Sequence, residues 1–239
     1  MKILKNGTIV TDHRLDRIPS FDRESRKFCI TSRLETSAPI QTKMWELEHY
    51  LDQGQEGACV GFGISHELLA TPKDAPYPYV NNEYAKEQIY WEAQKIDPWP
   101  GGAYPGASPF YEGTSVLAGV KIAKSIGWFD SYYWAFSLND LMKGVSQEGP
   151  AVLGVNWYEG MMDTDAAGYI RPTGSCIGGH CICAIGINKE DEYFTLHNSW
   201  GDCWGDDGRC RISFADMRRL LNENGEACFF VGRHVKLPR

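Results

Sequence analysis

At 239 residues, the chain can hold one large domain or two closely packed lobes. Apolar residues make up 43% and aromatics 13%, which excludes global disorder, and the formal net charge of −7 argues against a nucleic-acid partner. No run of about 18 apolar residues occurs, and the N-terminal Met1-Lys2-Ile3-Leu4-Lys5-Asn6-Gly7 turns polar too soon for a signal peptide. A cytoplasmic protein with no membrane partner is therefore expected; composition leaves its oligomeric state open.

Residues 1–42 are rich in charge and carry no sustained helical period. Asn6-Gly7 is a turn signal within a short hairpin from Ile3 to Val10. Two readings stand for this extension: an arm packed on the body, or a short inhibitory or cleavable pro-segment. A helix is predicted from Gly57 to Ala70, with Val60, Ile64 and Leu68 on one face and Thr71-Pro72 as its stop. Gly61 and Gly63 weaken it by propensity, so a close neighbour is expected there. His66 reads as a surface or partner-satisfied helix residue. Asp74 to Asn81 reads as a loop. Asn82 to Ile96 forms an amphipathic helix with Ala85, Ile89, Ala93 and Ile96 in register. A Pro/Gly-rich loop with Trp99, Tyr104, Phe110 and Tyr111 follows. Thr114 or Ser115 then caps a helix that runs to Ile126 and closes at Gly127.

The aromatic run from Trp128 to Phe136 reads as core or interlobe packing, with a cofactor or sugar platform as the rival. Leu138 to Gln147 is one more helix. Strands are predicted over Ala151 to Trp157, Cys181 to Ile187, Tyr193 to Asn198, Arg209 to Ser213 and Ala227 to Arg233, with a short helix from Phe214 to Leu221. Helices first and antiparallel strands second predict an α+β protein with two lobes.

Three stretches carry chemistry. Gln53 lies six residues before Cys59 in Gln53-Gly54-Gln55-Glu56-Gly57-Ala58-Cys59, and Cys59 falls in the first turn of a predicted helix, where a thiolate is stabilised. His180 opens a strand as His180-Cys181-Ile182-Cys183-Ala184-Ile185-Gly186. The third stretch is Asn198-Ser199-Trp200-Gly201-x-x-Trp204-Gly205-x-x-Gly208-x-x-Arg211-Ile212. Together these resemble the papain-like cysteine peptidases, over roughly residues 45 to 232. The nucleophile signature of that family is Cys-Gly-Ser/Ala-Cys-Trp/Tyr, with His and Asn ~130–150 residues downstream. Here the central Gly-Ala-Cys is kept, Glu56 and Val60 depart from it, and the His and Asn follow at 121 and 139 residues. The Glu112-Gly113-Thr114-Ser115 stretch resembles the short, prodomain-poor members from bacteria and their phages.

The resemblance implies a papain-like two-lobe fold: a helical left lobe, an antiparallel β-barrel-like right lobe and a cleft between them. It divides the chain into an N-terminal extension (1–42), a helical lobe with the nucleophile (43–135) and a β-rich lobe with His and Asn (136–239). It also implies a polypeptide substrate and no cofactor. In that scheme Cys59 attacks the scissile carbonyl and His180 stabilises the thiolate and protonates the leaving amine. Asn198 orients His180, while the Gln53 amide and the Cys59 N–H form the oxyanion hole. Gly113, Gly179, Trp200 and Trp204 are its substrate-side residues, with Trp200 shielding the His–Asn bond. The alternatives are a transamidase on the same machinery and a silent peptide-binding module; retention of all four residue types argues against the second. Glu56 stands where many relatives have a disulfide cysteine, which points to a reducing compartment. No cysteine or histidine spacing fits a common zinc site, so no metal is expected. A Cys203–Cys210 disulfide across a turn is an alternative to packed free thiols.

Overall fold

The computed structural model describes residues 1–72 and 75–235; Asp74, the first residue of one predicted loop, lies outside them. A seven-stranded antiparallel sheet organises the chain. Its strands run in the order β4 (Phe129–Ala135), β9 (Glu226–Arg233), β5 (Ala151–Tyr158), β6 (Cys176–Asn188), β7 (Tyr193–His197) and β8 (Arg209–Ser213). The short β3 (Lys43–Met44) pairs with the far end of β6. Strands at period two give the sheet two buried faces. Cys181, Cys183 and Ile185 of β6, with Cys228 and Phe230 of β9, face helices α1 (Cys59–Leu69) and α4 (Val116–Ile126). Ile182 and Ala184, with Ala227 and Phe229, face α5 (Leu138–Gln147) and α6 (Phe214–Asn222).

Every residue of α1 is buried, so this helix has no solvent face. Its two glycines are explained by contact. A Cβ on Gly63 would sit 2.7 Å from Cys181 Sγ, and one on Gly61 would strike the Ala85 carbonyl. The helix is thereby pressed against β6 on one side and the next helix on the other. That next helix is interrupted: α2 (Asn82–Tyr84) passes into a π-helical stretch, Ala85–Trp91, before α3 (Glu92–Ile96). The wider turn shifts the register by its end, and Ile96, expected on the buried face, is half exposed.

His66 is partner-satisfied rather than on the surface: it is fully buried, its Nε2 accepts the Leu51 N–H at 3.1 Å, and its ring meets His197 edge-on. The aromatic run is largely strand β4. Its ladder with β9 stacks Phe129 on Phe230, while Trp128 just before it donates to Tyr84 Oη at 2.7 Å. Ser115 is the cap of α4, its Oγ accepting the Ala118 N–H, and Gly127 closes that helix in the left-handed region at φ 101°. Cys203 is exposed, Cys210 is buried, and both are free thiols.

The N-terminal extension lies on the body. It forms the expected hairpin from β1 (Lys2–Ile3) and β2 (Ile9–Val10), then runs in extended form through Leu15, Asp16, Arg17 and Ile18, all buried. Leu4, Val10 and Ile18 make a small apolar cluster under Trp99 of the Pro/Gly-rich loop. Lys5 forms a fully buried ion pair with Asp97 at 2.7 Å.

Candidate active site

Cys59 is the first residue of α1, and its backbone N–H is one of the amides that the helix cannot satisfy itself. α1 packs on β6, which brings the Cys181 N–H to 3.2 Å from the Cys59 sulfur. His180, one residue earlier on β6, is fully buried. Its Nε2 is 2.7 Å from Asn198 Oδ1, just beyond the end of β7, and its Nδ1 is buried without a partner. The Asn198 oxygen also accepts the Ser199 N–H at 2.9 Å, which fixes the amide orientation. Trp157 and Trp200 enclose the imidazole, with ring centroids 4.7 and 5.0 Å from it. Trp204 stands behind Trp200 and donates to the Met162 carbonyl at 2.7 Å. Gln53 is held by Ser199, whose hydroxyl donates to Gln53 Oε1 at 2.7 Å, and by a backbone bond from its own N–H to the Ser199 carbonyl at 2.9 Å. The four sequence-selected polar residues thus converge through α1, β6 and the turn after β7.

The extension fills the space in front of them. Gln53 Nε2 donates to the Arg14 carbonyl at 3.1 Å and to the Glu56 carbonyl at 2.6 Å. Asp16 Oδ1 accepts both the Cys59 N–H at 3.2 Å and the Cys59 thiol at 2.7 Å. Arg17 donates its N–H to the Gly179 carbonyl at 3.1 Å, and Ile18 donates to the Thr114 carbonyl at 2.8 Å. A Cβ on Gly179 would strike the Arg17 carbonyl, and one on Gly113 would lie 2.9 Å from the Ile18 side chain and 3.0 Å from the Asp16 carbonyl. Gly113 also sits at φ 98°, so a side chain there is excluded twice over. Both glycines let a backbone lie flat against the cleft walls, and in this structure that backbone is the chain's own. Arg14 places its guanidinium over Trp200, 4.0 Å from the ring centroid, and is clamped by Asp12.

This packing inverts the electrostatics expected of an activated thiol. Burial and the Asp16 carboxylate push the Cys59 thiol well above its ordinary range. Burial pushes Asp16 up to about 6, against the pull of Lys2. Burial also lowers His180 to about 4, opposed by its bond to Asn198. With the extension docked, the pair is neutral thiol and neutral imidazole, and the Cys59 proton belongs to the Asp16 hydrogen bond. Asp16 and Arg14 were not foreseen from sequence. The one available signal is the charged pair Asp16-Arg17 between two apolar residues, Leu15 and Ile18, in an otherwise polar arm. Among the described residues, no three of His, Cys, Asp and Glu come together as a metal site.

Comparison with known proteins bears on the family and the fold. Residues 74–224, well over half of the chain, match the family described as papain family cysteine protease. That span holds His180 and Asn198, while Gln53 and Cys59 precede it. Cathepsin B-like protease 1 of Arabidopsis thaliana is 31% identical over 145 residues, covering 55% of this chain and 37% of that protein. Cathepsin B-like cysteine proteinase 6 of Caenorhabditis elegans is 28% identical, covering 57% and 36%. The chain therefore spans little more than a third of the length of these relatives. The fold is similar to that of xylellain, a cysteine protease from Xylella fastidiosa, with a TM-score of 0.66 at 15% identity, over 95% of this chain and 99% of that one. Bromelain from Ananas comosus gives a TM-score of 0.57 at 14% identity, over 82% and 100%. The chain belongs to the papain family of cysteine proteases.

Proposed function

We propose that the chain is a cysteine peptidase of the short bacterial or phage type, kept latent by its own N-terminal extension and acting in a reducing compartment such as the cytoplasm. The observation that carries the catalytic reading is the His180–Asn198 bond. It commits Nε2 to the amide oxygen and leaves Nδ1, buried and unpartnered, to serve a nucleophile. Release of the extension removes Asp16 from the thiol and admits solvent to the cleft. Cys59 then passes its proton to His180, and the thiolate attacks the scissile carbonyl. The oxyanion is received by Gln53 Nε2 and the Cys59 N–H, both of which now face oxygens of the arm; one such donor is worth ~3–4 kcal/mol. The imidazolium gives its proton to the departing amine, leaving a thioester on Cys59. Water attacks the thioester with His180 as base, and the carboxylic acid and free thiol separate. Asn198 accepts from the imidazolium without neutralising it, and the two tryptophans keep water from that bond. Eight free thiols and a glutamate beside the nucleophile support the reducing compartment. No described helix is long and apolar enough to cross a membrane.

The Asp16 cap on the thiol also favours a second reading, a peptide-holding module that never turns over. Two measurements on the full chain separate them. The first is intact mass after a peptidyl epoxide; the second is hydrolysis of a mixed peptide pool by a variant with a loosened arm, Arg17→Ala. A single adduct lost in Cys59→Ala, together with peptide cleavage, is expected. Cleavage in neither protein overturns the peptidase reading, and ligated products with added amine would assign it to transfer instead.

A further inference from the structure

Two buried histidines outside the candidate site touch the three segments that deliver Cys59, Gln53 and Asn198. His66 lies about two turns along α1 from Cys59. Its Nε2 accepts the N–H of Leu51, just ahead of Gln53, at 3.1 Å. His197 immediately precedes Asn198 at the end of β7, and the two imidazoles meet edge to face with centroids 4.4 Å apart. His197 Nδ1 accepts from Arg209 Nε at 3.4 Å, and Arg209 Nη2 donates to the Leu47 carbonyl at 2.8 Å. The segment from Leu47 to Gln53 is thus tied by the histidine pair at one end and by the Gln53–Ser199 bonds at the other.

These bonds fix the tautomers. Each ring accepts at one nitrogen, so each neutral ring carries its proton at the other, His66 Nδ1 and His197 Nε2, and both of those atoms are buried without a partner. A second proton has to enter at an accepting nitrogen. At His66 it displaces the Leu51 N–H; at His197 it confronts the Arg209 guanidinium. Nothing around the pair compensates. Tyr50 packs on His197 with centroids 5.0 Å apart, and Cys183 stands opposite it in the β6–β7 ladder as a neutral thiol. Glu67, the next residue of α1, is committed to Arg233. Glu46, Glu48 and Asp52 are exposed, and His49 stacks on Tyr77. Burial, with His197 beside it, holds His66 well below its ordinary value, and burial with Arg209 lowers His197 to about 3. Both neutral rings therefore contribute fully above the ordinary 6.5 and lose that contribution as pH falls, for His197 through about 3.

We propose, building on the peptidase reading, that His66 and His197 form a clasp that positions Gln53 against Cys59 and opens on protonation. His66 is then a positioning residue, acting on the reaction through Leu51 and the oxyanion donor that follows it. Opening admits two protons, so each pH unit below 6.5 multiplies the open population by up to ~100-fold, ~10-fold for each ring. The acid limit of the peptidase is thereby set away from the catalytic pair.

The test takes as parent the full chain carrying Arg17→Ala, which breaks the buried ion pair between the arm and Glu226. Peptide hydrolysis is followed from about pH 8 to about pH 4 in this parent and in the same chain with His66→Phe or His66→Gln. His66→Phe removes the acceptor and should lower kcat at least ~10-fold at neutral pH, with KM held within about two-fold. His66→Gln brings an amide oxygen to the Leu51 N–H without a titrating group. It should restore kcat and move the acid midpoint of kcat down by about one pH unit or more. An acid midpoint shared by parent and His66→Gln overturns the clasp and leaves the peptidase reading standing, as does a His66→Gln no more active than His66→Phe. Cleavage by no chain, parent included, counts against the peptidase reading, and the clasp is then judged by hydrogen exchange at the Leu51 amide. Between about pH 7 and about pH 4.5 its protection should drop at least ~10-fold further in the parent than in His66→Gln. Equal drops overturn the clasp as well.

Discussion

The latch can be measured through a single ion pair. Arg17→Met retains most of the apolar stem and removes the guanidinium, so Glu226 is left in a buried pocket with no cation. Breaking a buried pair from one side costs ~3–5 kcal/mol, because the remaining charge has lost its compensation. Glu226 can relieve part of this by taking up a proton, since burial already pushes its carboxyl upward; the lower half of the range is therefore the better guide. At 1.4 kcal/mol per factor of ten, the fraction of time the arm spends undocked should rise roughly 10²- to 10³-fold. If alkylation of Cys59 requires undocking, its rate rises by the same factor until the open form dominates. The assay is peptide-mapped alkylation, because Cys176 and Cys203 are exposed and take up reagent as well. The control is Arg17→Met/Glu226→Met. Replacing both charges with apolar side chains removes the orphan, so the double variant should return to within about ten-fold of the parent rate. A double variant that alkylates as fast as the single would refute the reasoning: the arm would then be held by its backbone contacts, with the ion pair incidental.

Three further outcomes follow. Asp16 has a folded pKa of about 6 against an ordinary 3.8, so its contribution to stability is full below pH 3.8 and is lost as pH rises through 6, a change of ~3 kcal/mol. Asp16→Asn should therefore gain on the parent chain in Tm between pH 4 and pH 7, and a gap independent of pH would contradict the burial of that carboxyl. His180 works in the opposite direction in both proteins: its pKa falls from 6.5 to about 4, so its contribution is full above 6.5 and lost as pH falls through 4. Gly63→Ala forces a methyl against Cys181 Sγ at the α1–β6 contact and should cost about 1–3 kcal/mol, or ~2–4 °C in Tm for each, measured by thermal unfolding. Asn198→Ala in the Arg17→Met background should lower kcat by ~10²-fold with little change in KM, since it frees the imidazole to rotate while leaving the cleft intact.

The helices and most strands were legible because their burial follows simple periods. Val60, Ile64 and Leu68 repeat at helical spacing, and Ser115 and Gly127 mark the two ends of α4 with local chemistry alone. The glycines of α1 announced close contacts without naming the partners. Strand β4 was hidden because its aromatic residues, buried or half-buried on both sides, do not alternate with polar ones, and the π-helical stretch had no signal of its own. In the candidate site, Gln53, Cys59, His180 and Asn198 were readable because each sits in a local motif of fixed spacing. Asp16, Arg17 and Glu226 were not, since their meaning lies in a contact across the whole chain. A buried charge pair looks like two ordinary surface residues until the fold brings them together.

That separation has a consequence for the order of events during synthesis. Arg17 and Glu226 lie 209 positions apart, and the residues of the candidate site are complete once Asn198 has been made. At ~5–20 residues per second, the stretch from Asn198 to Glu226 takes the ribosome roughly 1–6 s. Throughout that interval the arm is present and the anchor for its arginine is not. Because β9 lies between β4 and β5, the sheet that carries the site is itself incomplete until residues 226–233 have been made, so the body and the charged latch close together. Variants that slow the formation of β9 would delay both without altering the finished protein.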